Sequence, residues 1–315
     1  MLKVYILLLL TSLIFSIIAG FPLIKLLRNI GVNQYIREEG PKDHLATKRD
    51  TPTIGGIIFL IPTFIISSTI LYIYKSLITL DLIVVLLATL IIAISGFLDD
   101  FLKLKRKHNK GISGWFKLFV QLIISIIIFM LYKGDQNILY LVWVFLIFAG
   151  SCNSFNLTDG LDGLAASVSI ASLCGLAYLL NSQFNYDLTI FSVILIGSLV
   201  GFLYFNRYPA TIFMGDTGSL AIGAAIGSLA LVSGNGLYLL IFAIVPVLEA
   251  ISVILQVASC KLSKKFLNKD IRIFKMTPLH HHFELLGWKE TTIVKCFFFV
   301  QAICTLIGIL VINSH

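Results

Sequence analysis

Apolar residues in this chain come in long unbroken runs. Leu82–Ile94 and Leu122–Leu131 are almost wholly hydrocarbon. A membrane β-barrel would alternate apolar and polar residues with period two. A run of roughly 20 apolar residues instead spans a bilayer as a helix. About ten such segments follow one another, over 3–27, 53–74, 80–98, 116–132, 138–155, 161–180, 188–205, 219–233, 237–262 and 291–312. The pattern predicts an all-α polytopic integral membrane protein. Pro246 interrupts the ninth segment, and Glu249 follows one turn later. Proline removes a backbone hydrogen bond and bends a helix. The ninth helix is therefore expected to be bent. The bend either opens a groove for a lipid or is a simple kink, with Glu249 paired inside the bundle.

The polar strips between the runs alternate in character. Those at 28–52, 99–115, 206–218 and 263–290 are mostly basic, and 156–160 joins them by alternation. Those near 75–79, 133–137, 181–187 and 234–236 are short and nearly uncharged. Of the 24 lysines and arginines, all but Lys3, Lys75 and Lys133 lie in or beside the first set. The positive-inside rule puts that set in the cytoplasm. An even number of spans then leaves both termini outside. Composition agrees with this picture. The chain is 58% hydrophobic and 13% charged, against about 25% charged in soluble domains, which excludes a soluble globular protein. The net charge of +8 belongs to these loops and implies no nucleic acid. The five cysteines lack C-x-x-C spacing and read as small buried hydrophobes.

Three strings set five aspartates at the ends of apolar segments: Gly96–Lys103, Asn156–Gly163 and Phe213–Gly218. A carboxylate beside hydrocarbon is costly unless paired, solvated or bound to a cation. Asp99, Asp100, Asp159, Asp162 and Asp216 therefore read as one polar site at a membrane edge. In helical geometry Asp99 and Lys103 share a face. Paired carboxylates either raise each other's proton affinity or hold a cation between them. Asn156, Asp159 and Asp162 recur every three residues, which would set all three on one helical face. The alternative is that Thr158 or Asp159 caps a helix. Asp216 opens an apolar segment, either as a helix cap or as a magnesium ligand. Phe213 can stack on a base. Adjacent residues cannot all point one way, so His280, His281 and His282 suit hydrogen bonding near phosphate better than a three-histidine metal site. Lys48, Thr53, Gly55 and Gly56 lie at the entry to the second helix, where a helix N-terminus favours anions. Taken alone, that last string is better explained by an ordinary capped helix start after a basic loop.

In order and spacing these strings resemble the polyprenyl-phosphate N-acetylhexosamine-1-phosphate transferase superfamily. TPTIGG, GFLDD-x-x-K, NLTDGLDGLA, FMGDTGSLA and PLHHHFE carry the resemblance over almost the whole chain. The unbroken histidine run followed by Phe283 and Glu284 favours the phospho-N-acetylmuramoyl-pentapeptide transferase branch. The resemblance implies one catalytic domain over 1–315, with its site on loops 28–52, 99–115, 153–163, 206–218 and 263–290. It implies a UDP-N-acetylmuramoyl-pentapeptide donor, an undecaprenyl phosphate acceptor and Mg2+, at the cytoplasmic face of a bacterial inner membrane. A homodimer is the family's expectation. By motif, Asp216 is the principal magnesium ligand, and Asp99 and Asp100 are the catalytic pair. Lys48, Asp162, Asn206 and Phe213 fall on the uridine side. Thr53, Asn156, Asp159 and Gly215 line the sugar-phosphate region. Lys103, His280, His281 and His282 reach diphosphate or acyl-sugar.

Rival readings fit less well. A secondary transporter sets its polar groups near the bilayer midplane, whereas these cluster at one edge. A membrane metalloprotease would need H-E-x-x-H, which is missing. A sister transferase acting on UDP-N-acetylglucosamine shares the aspartate strings.

Overall fold

The computed structural model describes residues 1–30, 51–106, 111–132 and 137–314. Among these are twelve α-helices and no strand. They are α1 (Leu2–Ile30), α2 (Ile57–Ile73), α3 (Leu80–Arg106), α4 (Gly114–Leu131), α5 (Ile138–Thr158) and α6 (Leu164–Ser182). There follow α7 (Tyr186–Asn206), α8 (Gly215–Val232), the single turn α9 (Leu239–Phe242), α10 (Ile244–Leu267), the short α11 (Leu279–Glu284) and α12 (Glu290–Asn313). Each of the ten predicted segments is helical. Nine helices among the described residues are long and apolar enough to cross a membrane. The shorter one is α2, with 17 residues.

α8 lies at the centre, packed between α3 and α5, while α7 packs against α1, α2 and α6. Lipid tails are as apolar as leucine, so helices in a membrane gain by close approach over small residues. α8 is built for this. A Cβ on Gly223 would sit 2.4 Å from the carbonyl oxygen of Ser151 on α5. On the other side, a Cβ on Gly96 of α3 would sit 2.3 Å from the carbonyl oxygen of Asp216. That second contact sets the C-terminal part of α3 directly against the first turn of α8.

The two chain ends share the far end of the bundle. Tyr5 donates to Asn181 Oδ1 at 2.9 Å, and Tyr178 donates to Asn313 Oδ1 at 2.6 Å. Asn181 and Tyr178 lie in the last turns of α6, away from the α7–α8 connection.

The ninth predicted segment is indeed interrupted, at Ala243 (φ −135°, ψ 33°), between α9 and α10. Pro246 has no N–H to offer the carbonyl of Phe242. The Gln301 side chain of α12 takes over. Its amide donates to Phe242 O at 2.9 Å, and its oxygen accepts from Val245 N at 3.1 Å. Gln301 is fully buried. Glu249, one turn on, is paired inside the protein with His280, its Oε1 lying 2.9 Å from Nδ1. Replacing Gln301 with Leu orphans both backbone groups, at about 1–3 kcal/mol each. The variant is expected to lose its fold at a lower temperature in detergent. An unchanged melting temperature would show that the break holds without this side chain.

Candidate active site

The site forms where α3 ends and α8 begins. Its geometry follows from one unusual cap. The first amides of a helix lack partners within it, and an anion there also meets the positive end of the helix dipole. In α8 that anion comes from another helix. Asp100 Oδ1 accepts from Asp216 N at 3.1 Å. Asp100 Oδ2 accepts from Thr217 N at 2.9 Å and from Thr217 Oγ1 at 2.7 Å. Gly215 makes room for it. Its φ is +73°, and a Cβ there would lie 2.5 Å from Asp100 Oδ2 and 2.9 Å from Thr53 Oγ1. Capping was one of two roles open to Asp216, and Asp100 fills it instead.

The Asp216 side chain is thereby free to turn outward. Its Oδ2 lies 2.5 Å from Lys117 Nζ and 3.3 Å from Lys103 Nζ. Its Oδ1 accepts from Asn156 Nδ2 at 3.1 Å. Asp99 shares the same two lysines, with Lys103 at 2.6 Å and Lys117 at 3.0 Å. Asp99 Oδ1 also accepts from Ile112 N at 2.7 Å. This last bond folds the 111–113 turn onto α3 and starts α4, with Ser113 as its N-cap. Lys117 thus arrives directly over the cluster. Asp99 and Asp100 are only 1% and 3% exposed.

Ligand atoms of Asp99, Asp100 and Asp216 all lie within 4.8 Å of one another. With formal charges, two lysines against three carboxylates leave one negative charge in excess. The donors are carboxylate oxygens, a hard set that suits magnesium better than a thiophilic metal. The residues present fit such an ion.

The other expected residues divide into groups. Thr53 is buried beside Gly215 and Asp100, and Asn156 also donates to Ser219 Oγ at 2.9 Å. These join the carboxylate cluster. Asn156, Asp159 and Asp162 do not share one helical face, because α5 stops at Thr158. Asp159 occupies the C-cap, and Gly163, with φ +79°, turns the chain into α6. Asp162 and Asn206 instead clamp two loops together. Asp162 Oδ2 accepts from Ala210 N at 2.9 Å, while Asn206 accepts from Gly163 N at 3.1 Å and donates to Ile212 O at 3.0 Å. The backbone of Phe213 is bonded to Pro52 O and Gly55 N, both at 2.8 Å, which ties the TPTIGG string to the Asp216 loop. The three histidines take different partners, although the His280 and His281 rings lie 4.2 Å apart. His280 meets Glu249, His281 meets Glu284 at 2.6 Å, and His282 accepts from Lys275 N at 3.1 Å. Lys48 lies outside the described residues. Asp99, Asp100 and Lys103 lie on the last turns of α3, not in a loop.

Sequence reasoning passed over three residues. Lys117 bridges Asp99 and Asp216, and its signal was a lysine one turn inside an apolar span. Glu290 accepts from Asp162 N at 2.7 Å. Gln301 splints the broken helix. The last two pair across more than fifty residues, with no local pattern to mark them.

Known proteins resemble this chain over most of its length. The family model for Glycosyl transferase family 4 matches residues 82–234, from α3 through α8. A phospho-N-acetylmuramoyl-pentapeptide-transferase of Clostridium kluyveri is 41% identical over 312 residues, covering 94% of this chain and 95% of that protein. The protein of the same name in Bacillus subtilis is 39% identical over 94% of this chain and 96% of its own. That of Prochlorococcus marinus is 42% identical over 91% and 84%. The chain belongs to the phospho-N-acetylmuramoyl-pentapeptide-transferase family. The segment matched by the glycosyl transferase model contains the three clustered carboxylates and Lys117 but stops short of His280. Similarity to the pentapeptide-transferases extends across almost the whole chain.

The clamp yields a prediction. Asn206→Leu leaves Gly163 N–H and Ile212 C=O unpaired in a buried position, at about 1–3 kcal/mol each. The expected result is a lowered melting temperature in detergent. Unchanged stability would deny Asn206 its bracing role.

Proposed function

We propose that this chain transfers phospho-N-acetylmuramoyl-pentapeptide from its UDP-linked donor to undecaprenyl phosphate, giving undecaprenyl-diphospho-N-acetylmuramoyl-pentapeptide (lipid I) and UMP. The observation that carries the reading is the cluster of Asp99, Asp100 and Asp216 with Lys103 and Lys117 between them. It sits in a bundle 39–41% identical over most of its length to proteins of that name.

In the reaction, a phosphate oxygen of the lipid attacks the donor phosphorus that bears the sugar. The bond from that phosphorus to the bridging oxygen breaks, and UMP leaves with the electron pair. The attacking oxygen is already anionic, so direct transfer is favoured over an aspartyl-phosphate intermediate. Catalysis then rests on positioning and charge neutralisation. Lys103 and Lys117 offer positive charge to the phosphates. Asp99 orients the lipid phosphate, and Asp100 supports it by holding the first turn of α8. Asp216 is the principal ligand for Mg2+, with Asp99 and Asp100 beside it. Such an ion supplies Lewis-acid stabilisation of the charge on the diphosphate and on the leaving UMP.

Lys48, Asp162, Asn206 and Phe213 are assigned to the uridine side, with Asp162 and Asn206 acting through the loops they clamp. Thr53, Asn156, Asp159 and Gly215 flank the sugar phosphate. His280, His281 and His282 lie toward the diphosphate or acyl-sugar. The basic strips support a site on the cytoplasmic face, and the bacterial relatives support a bacterial cytoplasmic membrane, where a soluble nucleotide meets a lipid phosphate. A homodimer is the proposed assembly.

Purified full-length chain with Mg2+, undecaprenyl phosphate and UDP-N-acetylmuramoyl-pentapeptide should release UMP, while UDP-N-acetylglucosamine should not support it. UMP from the second donor alone would reassign the chain to the sister activity. Asp216→Asn should abolish turnover and also weaken Mn2+ binding measured by electron paramagnetic resonance. Retained activity with unchanged Mn2+ binding would refute its metal role. Sugar-phosphate label retained on the protein without lipid would replace direct transfer by a two-step route.

A further inference from the structure

A second polar feature lies apart from the carboxylates, at the same end of the bundle. There the last turns of α1 and α7 line an open cavity of about 740 Å3, within the ~300–1,000 Å3 range of small-ligand sites. Lys25 and Arg28 line it from α1, Arg207 from the turn after α7, and Phe21, Tyr204 and Tyr208 form aromatic walls. Among the described residues its lining includes three cations and no carboxylate. Among the described residues, no acidic side chain forms an ion pair with any of the three. Arg28 reaches Thr211 O at 3.5 Å, and the Arg207 guanidinium lies 5.4 Å above the Tyr204 ring. These contacts fix the two arginines without neutralising them. Positive charge that the described residues leave without an acidic partner calls for an anion.

The rest of the ligand is indicated by what leads away from the cavity. Phe21, Ile18, Ile14 and Leu7 are 57%, 63%, 53% and 63% exposed. Their spacing of three, four or seven sets them in one stripe along α1. The stripe runs from the cavity into the spanning part of the helix. A soluble anion would use the cations and leave this stripe bare, whereas a phosphate joined to an acyl chain uses both.

We infer that this cavity binds an anionic phospholipid, its phosphate held by Lys25, Arg28 and Arg207 and an acyl chain laid along the α1 stripe. None of its lining residues belongs to the cluster of Asp99, Asp100 and Asp216. The cavity would hold a lipid of the surrounding bilayer as a resident molecule, neither substrate nor product.

The test is native mass spectrometry of the full-length chain in detergent, titrated with phosphatidylglycerol, phosphatidylcholine or inorganic phosphate. Phosphatidylglycerol should bind in preference to phosphatidylcholine, and phosphate should not displace it. Each surface cation contributes on the order of fivefold to binding of anionic lipid, so Lys25→Gln/Arg207→Gln should weaken the bound population by about tenfold or more. Lys264→Gln/Lys265→Gln removes the same charge from exposed positions on α10 outside the cavity and should weaken binding clearly less than the cavity pair does. Both variants should keep the parent melting temperature in detergent without added lipid. Equal weakening by the two pairs would reduce the effect to general surface charge and overturn the site. So would an unaffected Lys25→Gln/Arg207→Gln variant, and displacement by inorganic phosphate would make the ligand a soluble anion. If Lys25→Gln/Arg207→Gln is misfolded, Lys25→Gln alone carries the comparison, with a smaller loss expected.

Discussion

Three carboxylates held within a few ångströms of one another repel, and this repulsion is the constraint around which the protein is arranged. At the edge of hydrocarbon, water cannot screen it. Each aspartate therefore has its own compensation. Asp100 is held by the first amides of α8. Asp99 and Asp216 share two lysines, and each also accepts one N–H from the 111–112 turn or from Asn156. The close contact of Gly96 with the α8 backbone makes the Asp100 cap possible. That contact is in turn part of the packing that sets α8 at the centre. Fold and site are thus one arrangement, seen at two scales.

Much of this was legible in the sequence because membranes impose strong local patterns. Uninterrupted apolar runs marked every long helix, and Pro246 marked the broken one. Costly charges marked the aspartates. What stayed hidden involves partners far apart in the chain. Lys117 looked like one more basic residue beside a basic strip, and only the turn bonded to Asp99 brings it over the cluster. The three-residue spacing of Asn156, Asp159 and Asp162 suggested a helical face. Thr158 is the last helical residue, however, and Gly163 adopts a left-handed conformation. Periodicity alone does not reveal where a helix stops.

The same distinction separates residues that point into the site from those that build it. Asp162 and Asn206 lie in chemistry-bearing strings, yet their polar atoms are engaged by loop backbone. Glu249 and His280, both buried, join α10 to the histidine turn. A motif records that a residue is needed. It does not say whether the need is for contact with a ligand or for the shape around it.

The lysine arrangement also bears on how the chain is made. A membrane protein is threaded into the bilayer from its N-terminus. Asp99, Lys103 and Lys117 all belong to the α3–α4 hairpin, and the Asp99 pairs with both lysines lie within it. The first buried acid can therefore be neutralised as soon as that hairpin inserts. Asp216 is synthesised about a hundred residues later and meets two ammonium groups already in place. Asp100, on the same hairpin, finds its partners only when the first turn of α8 arrives, so the cluster is completed by a helix made long after its first two lysines.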